Sequence, residues 1–164
     1  MNARHLVRLC AAAALAGSFS SLAAAETAYN ASGTGTAIDR SVVRQIGDNH
    51  LAIMHMAEYS EFKPDTADNP MAGLNGDCFG FIEVLGMSTQ GNGFCQWTDI
   101  AGNGVTVRWE VDSLNQDGST NGNWRFVAGT GPWEGVSGGG TYTVSMGEGQ
   151  TRTNKITGAY VLPD

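Results

Sequence analysis

The stretch from Gly129 to Thr143 places the tightest limit on what this chain can fold into. It reads GTGPWEGVSGGGTYT, with six glycines and two aromatic residues. A glycine inside a helix costs about 1 kcal/mol relative to alanine, whereas glycine readily reaches positive φ and lets two backbones lie close together. The stretch therefore predicts a tightly turned β segment and excludes a helix.

From Gly76 onward the chain reads as strands joined by turns. The clearest strand is Val105–Asp112, where apolar and polar residues alternate over eight positions, so its odd-numbered residues are predicted to face the core. Asn-Gly pairs at Asn92-Gly93 and Asn103-Gly104 predict turns. The other strands predicted in this part are Cys78–Leu85, Gly93–Thr98, Trp124–Ala128 and Thr151–Leu162.

Before Gly76, the chain contains one long apolar run and one long proline-containing segment. The apolar run His50–Tyr59 suits a strand buried on both faces, although its periodicity leaves a helix open. The segment Phe62–Leu74 contains Pro64 and Pro70, which oppose regular pairing, and it is predicted to be a long loop.

The spacing of strands and glycines indicates the fold class. Short strands at hairpin spacing are typical of a sandwich or a closed antiparallel barrel. The glycines favour closure, because tight bends of barrel strands need residues without a Cβ, and closure removes exposed sheet edges. The predicted fold is all-β, a closed antiparallel eight-stranded barrel.

The first residues have the pattern of a secretory signal peptide. Residues 1–25 combine a basic start, an apolar middle and a small-residue end at Ser21–Ala25. The apolar run is too short for a membrane span, which needs about 20 residues. A lipoprotein anchored at Cys10 is less favoured, because no small residue directly precedes that cysteine. The sequence predicts a periplasmic or secreted protein with a single barrel domain at 26–164 and no membrane span.

The charge of the chain argues against several partners. Without Arg4 and Arg8, seven basic side chains remain against sixteen acidic ones, a formal charge of −9. Such a chain repels phosphate backbones and anionic lipid surfaces, so no nucleic-acid partner is expected. An outer-membrane barrel is also disfavoured, because most predicted strands are shorter than about 10 residues and aromatic girdles are not evident.

Two cysteines, Cys78 and Cys95, lie beyond the predicted signal peptide and fall on neighbouring predicted strands. Disulfides persist in the compartments that exported chains reach, so the two are predicted to form one bridge. On a loop-entropy estimate such a bridge contributes around 3 kcal/mol. The alternative, a reactive thiol pair, lacks the Cys-x-x-Cys spacing and a basic environment.

Part of the chain resembles a known superfamily. The segments that carry the resemblance are Cys78-Phe79-Gly80, Gly91–Cys95, Thr98-Asp99 with its glycine turn, Trp109-Glu110 and Gly129–Tyr142. Their pattern is similar to that of bacterial exported proteins related to the allene oxide cyclase and dirigent barrel superfamily. The resemblance implies an eight-stranded antiparallel barrel around an apolar cavity, often in a homo-oligomer. It implies no particular activity, because the pocket residues of the plant proteins find no position-by-position match here.

An eight-stranded barrel has room inside for side chains or for one small ligand, and ligand pockets are mostly apolar with a few polar groups. Aromatic residues of the predicted strands are therefore candidate ligand contacts, although an ordinary core also buries aromatics. Ionisable residues on the same strands are candidates for the polar groups. The candidate ligand-binding residues are Phe81, Trp97, Trp109, Trp124, Tyr142, His55, Glu83 and Arg108.

Other kinds of site are not indicated. His50 and His55 are five residues apart on one predicted strand, which places them on opposite faces, so no metal site is expected from them. The chain has no Gly-x-Ser-x-Gly motif and no recognisable Ser, His and Asp grouping, so a hydrolase is disfavoured. No catalytic residue and no cofactor is predicted.

Three hypotheses for the function remain open. The first is an exported protein that binds a small apolar molecule inside the barrel without catalysis. The second is an isomerase or cyclase of the allene oxide cyclase or dirigent type, which requires a buried ionisable group facing the pocket. The third is a structural or inhibitory module with a solid core, whose function lies on outer loops such as Phe62–Leu74.

Overall fold

The computed structural model of this chain describes residues 26–163, so the predicted signal peptide at 1–25 lies outside the described residues. Within that range, one short 3₁₀ turn at Gly131–Trp133 interrupts an all-β chain. The strands are β1 (Glu26–Asn30), β2 (Gly33–Asp39), β3 (Val42–Gly47), β4 (His50–Pro64), β5 (Asn75–Leu85), β6 (Ser88–Thr98), β7 (Gly104–Leu114), β8 (Thr120–Gly129), β9 (Ser137–Met146) and β10 (Thr151–Pro163).

Eight of these strands form a closed antiparallel ring in the order β10-β2-β4-β5-β6-β7-β8-β9. The ring closes where β9 pairs with β10, from Arg152 opposite Met146 to Val161 opposite Ser137. Strand β1 continues along β10 beyond the end of β2, and β3 forms a hairpin with β4. The predicted eight-stranded antiparallel barrel is confirmed.

Alternation along the strands separates a core side from a solvent side. On β7, Val105, Val107 and Trp109 are buried while Glu110 is exposed, as the strict alternation of that strand predicted. On β4 the apolar run is buried on one face only, since Met54 and Met56 are about half exposed, at 56% and 51%. The prediction that this run is a strand is correct, and the prediction that both its faces are buried is wrong.

The Asn92-Gly93 pair lies inside β6, so the turn predicted there is wrong. The chain reverses instead at Gly86 and Met87, between β5 and β6. Glycine is needed at position 93 for a steric reason, because the indole ring of Trp109 and the Phe79 carbonyl occupy the space of a side chain. The Asp99–Gly104 turn does form, and the Asp99 carboxylate accepts hydrogen bonds within it.

One end of the barrel is plugged by the loop after β4 and by the Gly-rich stretch. The prediction of a loop over Phe62–Leu74 is wrong at its start, because β4 runs on to Pro64 and pairs there with Gly33 of β2. Met71 of the loop is fully buried, and Trp133 of the 3₁₀ turn is 2% exposed. The Tyr160 hydroxyl donates a 2.8 Å hydrogen bond to Asn69 Oδ1, which ties β10 to the loop. Trp133 and Tyr160 stack with ring centroids 6.1 Å apart, so this end has a packed aromatic floor.

The barrel strands are longer than the sequence suggested. Strands β4 to β10 run from 10 to 15 residues, so the expectation that most strands are shorter than about 10 residues is wrong. Among the described residues, no helix is long and apolar enough to cross a membrane.

Candidate functional site

The barrel interior holds a cavity next to the packed floor. The space that the centre of a water-sized molecule can occupy is about 50 Å³. Roughly 10–15 Å³ of such space is enough for one water molecule, so the cavity exceeds that minimum. Side chains from seven of the eight barrel strands line it: His55, Tyr59, Cys78, Ile82, Cys95, Trp97, Val107, Trp109, Val111, Thr120, Trp124, Tyr142, Val144, Arg152, Asn154 and Ile156.

Burial of the lining residues shows where the cavity can be reached. Trp97 and Ile156, toward the floor, are 5% and 3% exposed. Val111, Val144 and Arg152, near the turns at the opposite end, are only partly buried. The cavity is therefore accessible from the end that carries the β5–β6, β7–β8 and β9–β10 turns.

Three tryptophans form the apolar wall of the cavity, and they are held in two different ways. The Trp124 indole N–H donates to two backbone carbonyls, Thr141 O at 3.2 Å and Thr157 O at 3.3 Å. The indole nitrogens of Trp97 and Trp109 are buried and have no hydrogen-bond partner among the described residues. Trp124 therefore links β8 to β9 and β10, while the other two rings are positioned by packing.

A polar cluster lies beside the accessible part of the cavity. The Arg152 guanidinium donates to Asp39 Oδ2 at 2.6 Å, which joins the start of β10 to the end of β2. The His55 ring packs edge-on against Trp109 at a centroid distance of 5.2 Å, and its Nδ1 lies 3.2 Å from the Ser41 hydroxyl. Ser41 also accepts a hydrogen bond from the Met56 backbone N–H, so the hydroxyl holds the imidazole in place.

Burial sets the protonation of His55, and hydrogen bonds set that of Asp39. Burial, and after it the positive charge of Arg152, lower the pKa of His55 from 6.5 to about 4, which outweighs the opposite influence of Asp39. For Asp39, burial raises the pKa, but hydrogen bonds from Ser41 and Arg152 outweigh it and hold the pKa below 3.8. At neutral pH the imidazole is neutral and the Asp39–Arg152 pair is ionised.

Two tyrosines complete the polar lining. Tyr59 Oη accepts a 3.1 Å hydrogen bond from Asn154 Nδ2, and Tyr142 Oη donates to the Glu110 carbonyl at 3.2 Å. Burial raises the pKa of both phenols, so both are neutral at physiological pH.

Cys78 and Cys95 form a disulfide on the inner wall, directly opposite each other on β5 and β6 with a Cα–Cα distance of 3.9 Å. The predicted bridge is confirmed. Both cysteines line the cavity, and alternation along the strands puts Ile82 of β5 and Trp97 of β6 on the same inner face.

Of the eight candidate ligand-binding residues, the structure brings five together around the cavity. These are His55, Trp97, Trp109, Trp124 and Tyr142. That any of them binds a ligand stays a prediction.

The other three candidates lie on the outer surface of the barrel. Phe81 is 52% exposed and pairs across the strands with Met54, beside Phe79 and Phe94 in an outward apolar patch. Glu83 is hydrogen bonded to His50 and Gln90, and Arg108 is ion-paired with Glu110. Placing them at an interior site is wrong for two reasons. Cys78 faces inward, so Phe81 and Glu83 face outward on β5, and Val107 and Trp109 are buried, so Arg108 faces outward on β7.

The sequence reading missed four polar residues at the cavity. Arg152, Asn154 and Tyr59 line it, and Asp39 holds Arg152. On β10, Arg152, Asn154 and Ile156 alternate with residues that face outward, and this period-2 pattern was the available signal. The Asp39–Arg152 contact spans 113 positions and depends on barrel closure, which local patterns do not specify.

His50 and His55 point to opposite sides of β4, as the odd spacing predicted, with His50 bonded to Glu83 outside. Within residues 26–163, no group of three or more His, Cys, Asp or Glu side chains is placed to hold a metal ion.

The described residues have a β-barrel fold similar to that of a dirigent protein. No protein-family model matches the chain, and no curated protein sequence matches it significantly. Among solved structures, the chain is similar to the pterocarpan synthase dirigent protein GePTS1, with a TM-score of 0.53 and 9% sequence identity. The alignment covers 86% of this chain and 93% of that protein. At this identity the likeness concerns the fold alone.

Proposed function

We propose that this protein binds a small apolar molecule inside its barrel without transforming it. The observation that supports this most directly is the interior cavity, which is walled by Trp97, Trp109 and Trp124. Ligand pockets combine an apolar wall with a few placed polar groups, and the Asp39–Arg152 and His55–Ser41 contacts supply such groups here. A barrel packed solid, as the structural-module hypothesis requires, would leave no such cavity.

Filling the cavity tests this function. Val144 lines the cavity, and Val144→Trp would occupy it, whereas Val127 is 45% exposed on the outside and Val127→Trp is the matched control. Native mass spectrometry of each protein, before and after incubation with naphthalene, should show a bound small molecule on the wild type and on Val127→Trp and none on Val144→Trp. Equal binding by all three proteins, or binding by none, would contradict the proposal.

An isomerase or cyclase is the second candidate, and His55 is the observation that favours it. This hypothesis requires a buried ionisable group that faces the pocket. Of the three ionisable candidates His55, Glu83 and Arg108, His55 alone lines the cavity. A neutral imidazole can accept a proton from a bound molecule, while the adjacent ion pair stabilises developing charge. Under this hypothesis His55→Gln abolishes turnover of a cyclisable substrate without loss of binding.

Two further parts of the proposal concern the setting of the protein. The signal-like residues 1–25 support export, and the Cys78–Cys95 disulfide is compatible with an oxidising compartment. Assembly into a homo-oligomer, which the superfamily resemblance implies, stays a prediction, and the mass of the native particle would test it.

A further inference from the structure

At the cavity wall, more buried hydrogen-bond donors than buried acceptors lack a partner among the described residues. Three lining residues carry a buried N–H that has no partner within residues 26–163: Trp97 Nε1, Trp109 Nε1 and Arg152 Nε. A single buried acceptor of the lining, Asn154 Oδ1, is in the same condition. Buried polar groups are normally hydrogen bonded, so this imbalance describes what a complementary ligand would bring.

Two of the three donors lie in one region of the cavity. Trp109 packs against His55 at 5.2 Å, and Arg152 is close enough to His55 to influence its charge state. Trp97 lies farther toward the floor, where its ring contacts Tyr59 and Phe62. An oxygen acceptor that pairs with both Trp109 Nε1 and Arg152 Nε would therefore lie beside His55.

The charges around these donors favour a neutral oxygen acceptor over a charged carboxylate. The Arg152 cation is already paired with the Asp39 carboxylate at 2.6 Å. Burial keeps His55 uncharged at neutral pH. A second carboxylate would bring an uncompensated negative charge into a site with low exposure, which is costly. A neutral oxygen acceptor carries no such cost.

We propose that the cavity takes a neutral apolar molecule with a carbonyl-type oxygen, and that Trp109 Nε1 and Arg152 Nε donate hydrogen bonds to this oxygen. The inference rests on the proposed function, since it specifies the ligand chemistry of the same cavity. Apolar side chains such as Ile82, Val107 and Val144 contact the remainder of the molecule.

Three small probes of nearly one shape test this selectivity. Acetophenone carries a neutral carbonyl, α-methylstyrene has a CH₂ group in place of that oxygen, and benzoate carries a charged carboxylate. Titration of the wild-type chain should give an affinity for acetophenone at least about tenfold above that for α-methylstyrene, since buried donors left unpaired disfavour the analogue. Benzoate should bind more weakly than acetophenone.

The indole N–H signals report the contact directly. The chain has four tryptophans, hence four indole N–H resonances in a ¹H–¹⁵N spectrum. Acetophenone should shift the Trp109 resonance downfield, whereas the Trp124 resonance should move little because its N–H already binds two carbonyls. Trp109→Phe keeps a ring but loses the donor, and Arg152→Lys keeps the charge but loses Nε–H. Each should reduce the preference for acetophenone over α-methylstyrene.

The outcomes separate the two proposals. Equal affinity for acetophenone and α-methylstyrene would overturn the acceptor inference while the binding function stands. Tightest binding of benzoate would overturn the neutral-ligand inference. Failure of all three probes to bind would overturn the acceptor inference, and the naphthalene experiment would then decide whether the binding function stands. The wild-type titrations decide among these results even if a variant does not fold.

Discussion

The indole ring of Trp109 lies against the backbone of Gly80, where an added Cβ would fall 2.5 Å from Cζ2 of the ring. The absence of a side chain on β5 at this point is thus what lets the indole ring of a tryptophan on β7 reach across to the backbone of β5. The glycine and the tryptophan form one packing unit that shapes the cavity.

Gly80→Ala should therefore destabilise the barrel. The new methyl group would overlap both the ring and the Asn92 carbonyl, and overpacking of this kind costs about 1–3 kcal/mol. Gly104→Ala is the matched control, since its nearest neighbours lie 3.8 Å from the added Cβ. Urea unfolding of the two variants measures the difference, and equal stability would contradict the packing role of Gly80.

The two kinds of tryptophan should respond differently to loss of the indole nitrogen. Trp124→Phe removes a donor that serves two backbone carbonyls, so it should lower the free energy of unfolding by about 1–3 kcal/mol. Trp109→Phe removes a donor without a described partner and should cost clearly less. Chemical denaturation of both variants without ligand provides the comparison, and the reverse order would be inconsistent with the hydrogen bonds described.

Stability should decrease with acidification because of His55. Its pKa is about 4 in the folded chain and 6.5 normally, so the unfolded chain takes up a proton first as the pH falls. The neutral, buried His55 therefore contributes its full share to the free energy of unfolding above pH 6.5. That share, at most about 3 kcal/mol, is lost as the pH falls from 6.5 to 4. His55→Gln should flatten the stability curve in that interval, whereas His50→Gln, on the outer face, should keep the decrease. An unchanged curve for His55→Gln would refute the assignment.

Reduction of the Cys78–Cys95 bridge should weaken the fold. The bridge spans 17 positions, and the chain-entropy relation gives around 3 kcal/mol for a loop of about this length. Comparing denaturant midpoints with and without a thiol reductant measures this loss. Thiol titration of the unfolded, unreduced chain checks the premise, and two free sulfhydryls per molecule would contradict it.

Local patterns in the sequence predicted the β class and the inner face of β7, because alternation and glycine content act within a few residues. They did not predict the inner face of β5, where Phe81 looked as suitable as Ile82 for a buried position. That choice depends on which face of the strand turns toward the cavity when the barrel closes, and Cys78 and Ile82 lie on that face. Arg152 was overlooked for a related reason, since its partner Asp39 comes close only when the last strand closes the ring.

The aromatic floor that Trp133 and Tyr160 form closes the barrel at one end. Anything that occupies the cavity enters and leaves by the same mouth, past the turn that carries Asp39 and Ser41. Exchange must then be sequential, with one guest departing before the next arrives, and the departure rate depends on the residues around that single opening. Substitutions there should change residence time more than substitutions at Trp97, which lies deeper, against Phe62.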